Sequence, residues 1–334
     1  MRNYSTDDGS ARAPAAAEPH LTSRAGSAAP VCFRPGAGGG CFDVSQNMSS
    51  ETNPEPRPKI TAACIPGTQR FLLDRYRTWR RFHRGVRKPG LPLLKSLPRY
   101  ARCVLVAGCQ RSGTTMLTRL LAGSPGFTRL ALTVDDELDA ALALAGLIDL
   151  PPDRRYCFQT TYLNECFGDY AQLSVSQRLI WVLRNPYSVV YSMLHNWDRF
   201  ALNELYAGCG MPLVDSARLR RTRLPWPFGP SRMEKACFSY HGKVAQILSI
   251  RRLLRPEQLL VVDYDKLVAA PDAWLPRILA FADVPYDALY ARQVQRGPNR
   301  KADRLSRRAR RRIERLAWPT YRDCAALAAA PGAG

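Results

Sequence analysis

Gly108-Cys-Gln-Arg-Ser-Gly113, followed by Thr114 and Thr115, gathers glycine, hydroxyl and guanidinium groups in one short stretch. That mixture suits an oxyanion. Backbone N–H groups of a glycine-bounded loop point inward, a following helix adds the positive end of its dipole, and Arg111 adds a fixed charge. The flanking elements must present it. Val104 to Ala107 is an apolar run that predicts a buried strand. Thr114 to Ala122 has the apolar period of a helix, and Ser124-Pro-Gly126 ends it. Strand, loop and helix N-terminus together predict a cradle for a phosphate-like or sulfate-like group.

The loop departs at one place from the nucleotide-binding pattern G-x-x-x-x-G-K-[ST]. Thr114 stands where the lysine belongs, and Arg111 is the cation inside the loop. Hydrolysis of a triphosphate uses that lysine at the β/γ-phosphates, so its loss points to different chemistry. A second cluster follows about seventy residues later. Leu179 to Leu183 is apolar throughout, as in a strand buried on both faces, and it ends in Arg184. Asn185-Pro186 then starts a helix with proline at a tolerated first position, and Ser192 lies eight residues after Arg184. A charged residue just past a buried parallel strand sits where such sheets bind ligands. A third apolar run, Leu259 to Val262, leads into Asp263-Tyr-Asp-Lys-Leu267 and Pro271.

These stretches resemble a known family. Gln110-Arg-Ser-Gly-Thr-Thr-Met-Leu117 is similar to the 5′-phosphosulfate loop of sulfotransferases that use 3′-phosphoadenosine-5′-phosphosulfate (PAPS). Leu179 to Met193 is similar to that family's 3′-phosphate motif, and Leu259 to Leu267 with Pro271 resembles its late strand and turn. The likeness spans roughly residues 100 to 325. It implies an α/β protein with a three-layer P-loop fold, a central parallel sheet flanked by helices. It also implies sulfuryl transfer from PAPS to a hydroxyl, or an amine, of a carbohydrate, lipid or other small-molecule acceptor.

The resemblance assigns roles residue by residue. Arg111, where relatives often carry lysine, would neutralise charge growing on the bridging oxygen. Ser112, Gly113, Thr114 and Thr115 would cradle the 5′-phosphate. Arg184 and Ser192 would hold the 3′-phosphate. The family adds a late basic residue there. Arg300 is the choice, with Arg296 and Lys301 as neighbours, although the family's R-K-G order is absent. Many relatives place a general base shortly after the first helix. Asp135-Asp136-Glu137 occupies that region, with Glu137 or Asp136 as the expected base and Asp135 equally suited to cap a helix. His195 is the further candidate, and is read first as a partly buried histidine. No metal is expected.

Composition bounds the rest. The chain has 334 residues and a formal net charge of +21. Residues 1 to 68 are rich in Ala, Gly, Ser and Pro without apolar period, and are expected to be disordered, with Met48 as an alternative start. Residues 69 to 330 are expected to form the sulfotransferase domain. No run reaches the roughly 18 apolar residues of a membrane span, and the N-terminus lacks the apolar core of a secretory signal. Ten scattered cysteines form no C-x-x-C pair, so a reducing, cytoplasmic setting is expected.

Much of the charge lies in Arg70 to Lys88 and Arg304 to Arg315, both with apolar residues at helical spacing. Such helices either pack on the domain with a solvated arginine face or lie against anionic membrane. No motif that reads nucleic acid accompanies them, so no specific nucleic-acid partner is expected. Further helices are predicted over about 136–148, 233–254 and 274–282, a short strand over 130–134, and irregular chain over 157–170. Residues 198–230, with Trp197, Tyr206, Trp226 and Phe228 in or beside them, are expected to shape an acceptor pocket. Two rival readings remain open: a P-loop nucleotide kinase or NTPase with Asp263 as its metal-side acid, and a non-enzymatic basic protein associated with membrane or nucleic acid.

Overall fold

The computed structural model describes residues 58–214, 229–294 and 301–328. Four parallel strands form the central sheet in the order β4-β2-β5-β6: β2 (Val104–Gly108), β4 (Cys157–Gln159), β5 (Arg178–Leu183) and β6 (Leu259–Asp263). Their residues explain their place. Leu179, Ile180, Trp181, Val182 and Leu183 are all fully buried. A side chain of this kind, fully withdrawn from water, contributes about 1.5–3 kcal/mol. No polar face is left over, so layers must cover the sheet on both sides.

The chain supplies those layers in two directions. From β2 it passes through α3 (Thr114–Ala122) and α4 (Asp136–Leu144) to β4 on one side. From β5 it passes through α5 (Pro186–His195), α6 (Arg199–Leu205) and α7 (Arg232–Leu253) to β6 on the other. Right-handed crossovers that run in opposite directions put their helices on opposite faces. The result is the three-layer α/β fold expected from the sequence. It also leaves a crevice between the carboxyl ends of β2 and β5, where the connections diverge. After β6 come α8 (Tyr264–Ala269) and α9 (Pro271–Phe281), and later the helix Arg307–Leu316.

Several expectations are corrected. Cys157–Gln159, expected to be irregular, is the edge strand β4, paired with Val104–Val106. Lys59–Thr61, inside the segment expected to be disordered, is strand β1; it pairs in parallel with β3 (Arg129–Ala131), away from the main sheet. Ala62–Cys64 follows as a 3-10 turn and a helix begins at Gly67, while residues 1–57 lie outside the described residues. The basic stretch 70–88 is not one helix. It breaks after α1 (Gly67–Arg75), restarts as α2 (Trp79–Phe82) where Thr78 caps it, and widens into a π-turn over His83–Arg87. Leu73, Tyr76, Phe82 and Val86 face the core, so most of its apolar residues are covered by the protein itself, while Phe71 is exposed. Within the 198–230 stretch, residues 198–213 carry α6 (Arg199–Leu205) and the short turns after it, while Trp226 and Phe228 lie outside the described residues. Among the described residues no helix is long and apolar enough to cross a membrane.

Gly108 fixes the junction of β2 and the loop. Its φ is +139°, and a Cβ there would lie 2.3 Å from the Val182 carbonyl oxygen of β5. Both the conformation and the space require glycine. Gly108→Ala is therefore expected to lower unfolding free energy by about 2 kcal/mol or more, measured by urea denaturation; a change within about 0.5 kcal/mol would contradict this close approach.

Candidate active site

A cavity of about 900 Å³ opens at the carboxyl ends of β2 and β5. Arg111, Gly113, Thr114, Thr115, Arg184, Ser192, Asp136 and Glu137 all line it. The structure thus brings together nearly every residue singled out from the sequence. Arg300 lies outside the described residues, but Lys301, the next residue, reaches the cavity wall.

The loop after β2 is shaped by two positive dihedrals. Gly113, the N-cap of α3, has φ +97°, and a Cβ there would lie 2.1 Å from the Tyr264 ring. Arg111 has φ +72°, which is uncommon for a non-glycine residue and costs of order 1 kcal/mol or more. Two contacts hold it there. Its Nε donates to Ser192 Oγ at 3.0 Å, and its carbonyl oxygen accepts from Arg184 Nη1 at 3.3 Å. Arg111 therefore bridges the loop to the helix that follows β5.

Arg184 is gripped from three sides. Its carbonyl oxygen accepts from Tyr240 Oη of α7 at 2.7 Å, and its guanidinium lies 4.4 Å from the Tyr264 ring centroid. The next residue anchors the turn. Asn185 accepts from the Ser188 backbone N–H, and its own backbone N–H and Nδ2 both donate to the Asp265 carboxylate at 2.8 Å. Asp265 belongs to α8, so β6 and β5 jointly set where Arg184 points.

Arg111, Arg184 and Lys301 crowd one end of the cavity. Burial, then Arg184, pushes the Arg111 pKa below the usual arginine value, and burial, then Arg184 and Arg111, does the same for Lys301. Guanidinium groups stay protonated under such shifts. Like charges gathered this closely repel, and an anion between them would relieve that cost. Ser112 Oγ and Arg184 Nε are buried there without a protein partner. Buried donors without partners are costly, and a polyanionic ligand with phosphate oxygens suits both.

The other end carries the acids. Asp135 caps α4 through the backbone N–H groups of Glu137 and Leu138, and also accepts from Trp79 Nε1 at 2.8 Å. Asp136 is ion-paired with Arg119, which ties up its charge and makes it the weaker candidate base. Glu137 is different. Thr161 Oγ1 and Gln159 Nε2 donate to its carboxylate, and removal from water, reinforced by the Asp135 charge, pushes its pKa up to about 7. A carboxyl poised there accepts a proton efficiently near neutral pH.

His195 does not reach the cavity; it is exposed at the end of α5 and stacks on Tyr191 at 4.4 Å. Asp263, the acid of the kinase reading, is buried and capped onto its own helix. It accepts from the Asp265 and Lys266 N–H groups and from Tyr321 Oη at 2.9 Å. Sequence reasoning missed Trp79 and His83 on the cavity wall; Phe200 and Glu204, also on it, belong to the 198–230 stretch expected to shape an acceptor pocket, and His83 Nδ1 lies 2.5 Å from a Glu204 oxygen. It also missed Tyr264, whose ring packs under the loop. Only tertiary contact brings these in, and no local pattern marks them.

No protein-family model and no curated protein matches the chain. Solved structures similar to it include the sulfotransferase domain from the curacin biosynthetic pathway, at 18% identity over 61% of this chain and 82% of that one, with a TM-score of 0.36. Mouse sulfotransferase SULT7A1 complexed with PAP is 16% identical over 70% of this chain and 91% of that one, TM-score 0.40. Sulfotransferase STF1 from Mycobacterium tuberculosis H37Rv is 11% identical over 75% and 86%, TM-score 0.40. Overlaps this loose leave the chemistry to the residues themselves.

The raised Glu137 pKa also has a consequence for stability. Below about pH 4.5 the carboxyl is neutral in folded and unfolded chains alike. As pH rises the unfolded chain ionises first, so the folded state loses stability up to about pH 7, where the loss levels off. Glu137→Gln removes this loss. Its stability relative to wild type is expected to rise between those limits, by a few kcal/mol at most. Denaturant curves at acid and alkaline pH that show the same difference would contradict it.

Proposed function

We propose that this chain is a PAPS-dependent P-loop sulfotransferase that moves a sulfuryl group to a hydroxyl of a small-molecule, glycan or lipid acceptor. The observation that carries the reading is the meeting of Arg111, Arg184 and Ser192 at the crevice between β2 and β5, with Lys301 beside them. PAPS would supply a sulfuryl group on a 5′-phosphate and a separate 3′-phosphate. Ser112, Gly113, Thr114 and Thr115 suit the first phosphate through backbone and hydroxyl donors at a helix N-terminus. Arg184, Ser192 and Lys301 suit the second. Arg300, for which the family resemblance speaks, remains part of the proposal.

Transfer to a hydroxyl leaves negative charge on the bridging oxygen. Arg111 would neutralise it as a fixed cation, without giving up a proton. Glu137 would take the acceptor's proton, and Thr161 and Gln159 orient the carboxylate for it. Asp136, paired with Arg119, is kept as a secondary candidate. The roughly 900 Å³ cavity, with Trp79, Tyr162, Trp197 and Phe200 in its wall, is large enough for donor and a modest acceptor. The eight cysteines among the described residues are all free, which supports a reducing, cytoplasmic setting. The kinase reading is disfavoured by Thr114 in place of lysine and by the capping role of Asp263.

Two outcomes are expected. Arg184→Ala should weaken binding of adenosine 3′,5′-bisphosphate by roughly tenfold to a hundredfold, as for loss of a charge-assisted hydrogen bond, while 5′-AMP binding changes little; equal losses in calorimetry would remove the 3′-phosphate role. Glu137→Gln should lower kcat by about a hundredfold or more. Wild-type kcat/KM should rise with pH and level off above about 7, because only the ionised carboxylate accepts a proton. A pH-independent rate in wild type would rule out Glu137 as the base.

A further inference from the structure

Lys243 is fully buried in α7 and lies outside the cavity wall. Its Nζ donates to the Leu163 carbonyl oxygen and sits 5.8 Å from the Trp181 ring centroid. A buried ammonium without a carboxylate partner is costly. One turn further along the same helix, Gln246 Nε2 donates to the next carbonyl, that of Asn164. One helix face thus holds two consecutive carbonyls of the segment that leaves β4.

That segment continues to the site in both directions. Gln110 Nε2, in the loop after β2, donates to the Thr161 carbonyl at 2.8 Å and to Asn164 Oδ1 at 3.0 Å. Thr161 Oγ1 donates to Glu137. The chain of contacts runs from Lys243 and Gln246, through residues 161–164, to the anion loop on one side and to the candidate base on the other.

We propose that Lys243 is a positioning residue: from behind the cavity it locks residues 161–164, and through them fixes Glu137 against the anion loop. Its charge adds to this by favouring the ionised Glu137 carboxylate. Its meaning for catalysis rests on the sulfotransferase reading; the electrostatic link to Glu137 does not. Burial apart, the charges that act on Glu137 are Asp135, which raises its pKa, and Lys243, which lowers it. Tyr162 and Tyr170 also feel the Glu137 charge, and both are held neutral by burial. Burial, first, lowers the pKa of Lys243 itself; Cys109, Cys209 and Glu137 act against that, and the Arg87 charge adds to it, while burial raises the pKa of both thiols.

The test titrates Glu137 directly. The protonated carboxyl band is followed by infrared difference spectroscopy in the full chain, with Glu137→Gln as the blank, in wild type and in Lys243→Met. The midpoint is expected to move to higher pH by about one unit in Lys243→Met. An unchanged midpoint overturns the proposal, whether or not the protein turns over PAPS. Gln246→Leu, which loosens the segment and keeps the charge, covers the case in which Lys243→Met fails to fold. It should lower kcat by roughly tenfold or more, as for a small displacement of a reacting group, with binding of adenosine 3′,5′-bisphosphate unchanged. Equal losses in kcat and in bisphosphate affinity would mark a merely structural role and overturn the claim. Wild-type protein that binds no bisphosphate would count against the sulfotransferase reading and leave the infrared result to decide the Lys243 link alone.

Discussion

Mutual repulsion among Arg111, Arg184 and Lys301 is the constraint on which the site depends. No chain gathers three cations at the tips of two adjacent strands without cost. Much of the surrounding construction serves to hold them there. The Tyr264 ring backs the guanidinium of Arg184, Asp265 pins the turn after it, and Ser192 ties Arg111 to α5. Arg111 even accepts a left-handed backbone to make its contact. Such an arrangement is stable on its own only because the scaffold over-determines it. A bound polyanion would convert the repulsion into attraction.

The acidic end obeys the same electrostatic logic with the sign reversed. Three carboxylates in sequence have three fates. Asp135 satisfies the first N–H groups of α4, Asp136 neutralises Arg119, and Glu137 is left facing the cavity with a proton affinity raised by burial. Cations at one end and a poised carboxyl at the other divide the cavity into a place for charge to be held and a place for a proton to go. Lys243, behind the wall, keeps the two ends in register.

What could be read from the sequence follows from what is local. The strands around Val104 and Leu179 were legible because Val104 to Ala107 and Leu179 to Leu183 are apolar throughout, and α5 was legible because Asn185-Pro186 begins it by local rules. The anion loop and the Arg184–Ser192 spacing were legible because the chemistry is built from neighbours in the chain. Strand β4 was not, since Cys157–Gln159 is three residues long and owes its strand geometry to pairing with β2. The break in the basic stretch was hidden because the restart is set by the Thr78 cap among so many arginines, and the bond from Trp79 to Asp135 beside it is a tertiary contact. Nothing local marks Lys243 on the helix predicted over 233–254; only the fold shows it to be buried. Within Asp135–Glu137, sequence favoured Glu137 or Asp136 over the capping Asp135 but could not choose between the two, because their difference lies in Arg119 and Thr161, which belong to other elements.

The central claim, that the cation cluster is built for a donor with separated phosphates rather than for a triphosphate, is tested most directly by calorimetry on the wild-type chain. Adenosine 3′,5′-bisphosphate is titrated in one arm and ATP with Mg²⁺ in the other, at the same ionic strength. Clearly tighter binding of the bisphosphate, with no need for the metal, is expected. Tighter binding of ATP that depends on Mg²⁺ would contradict it.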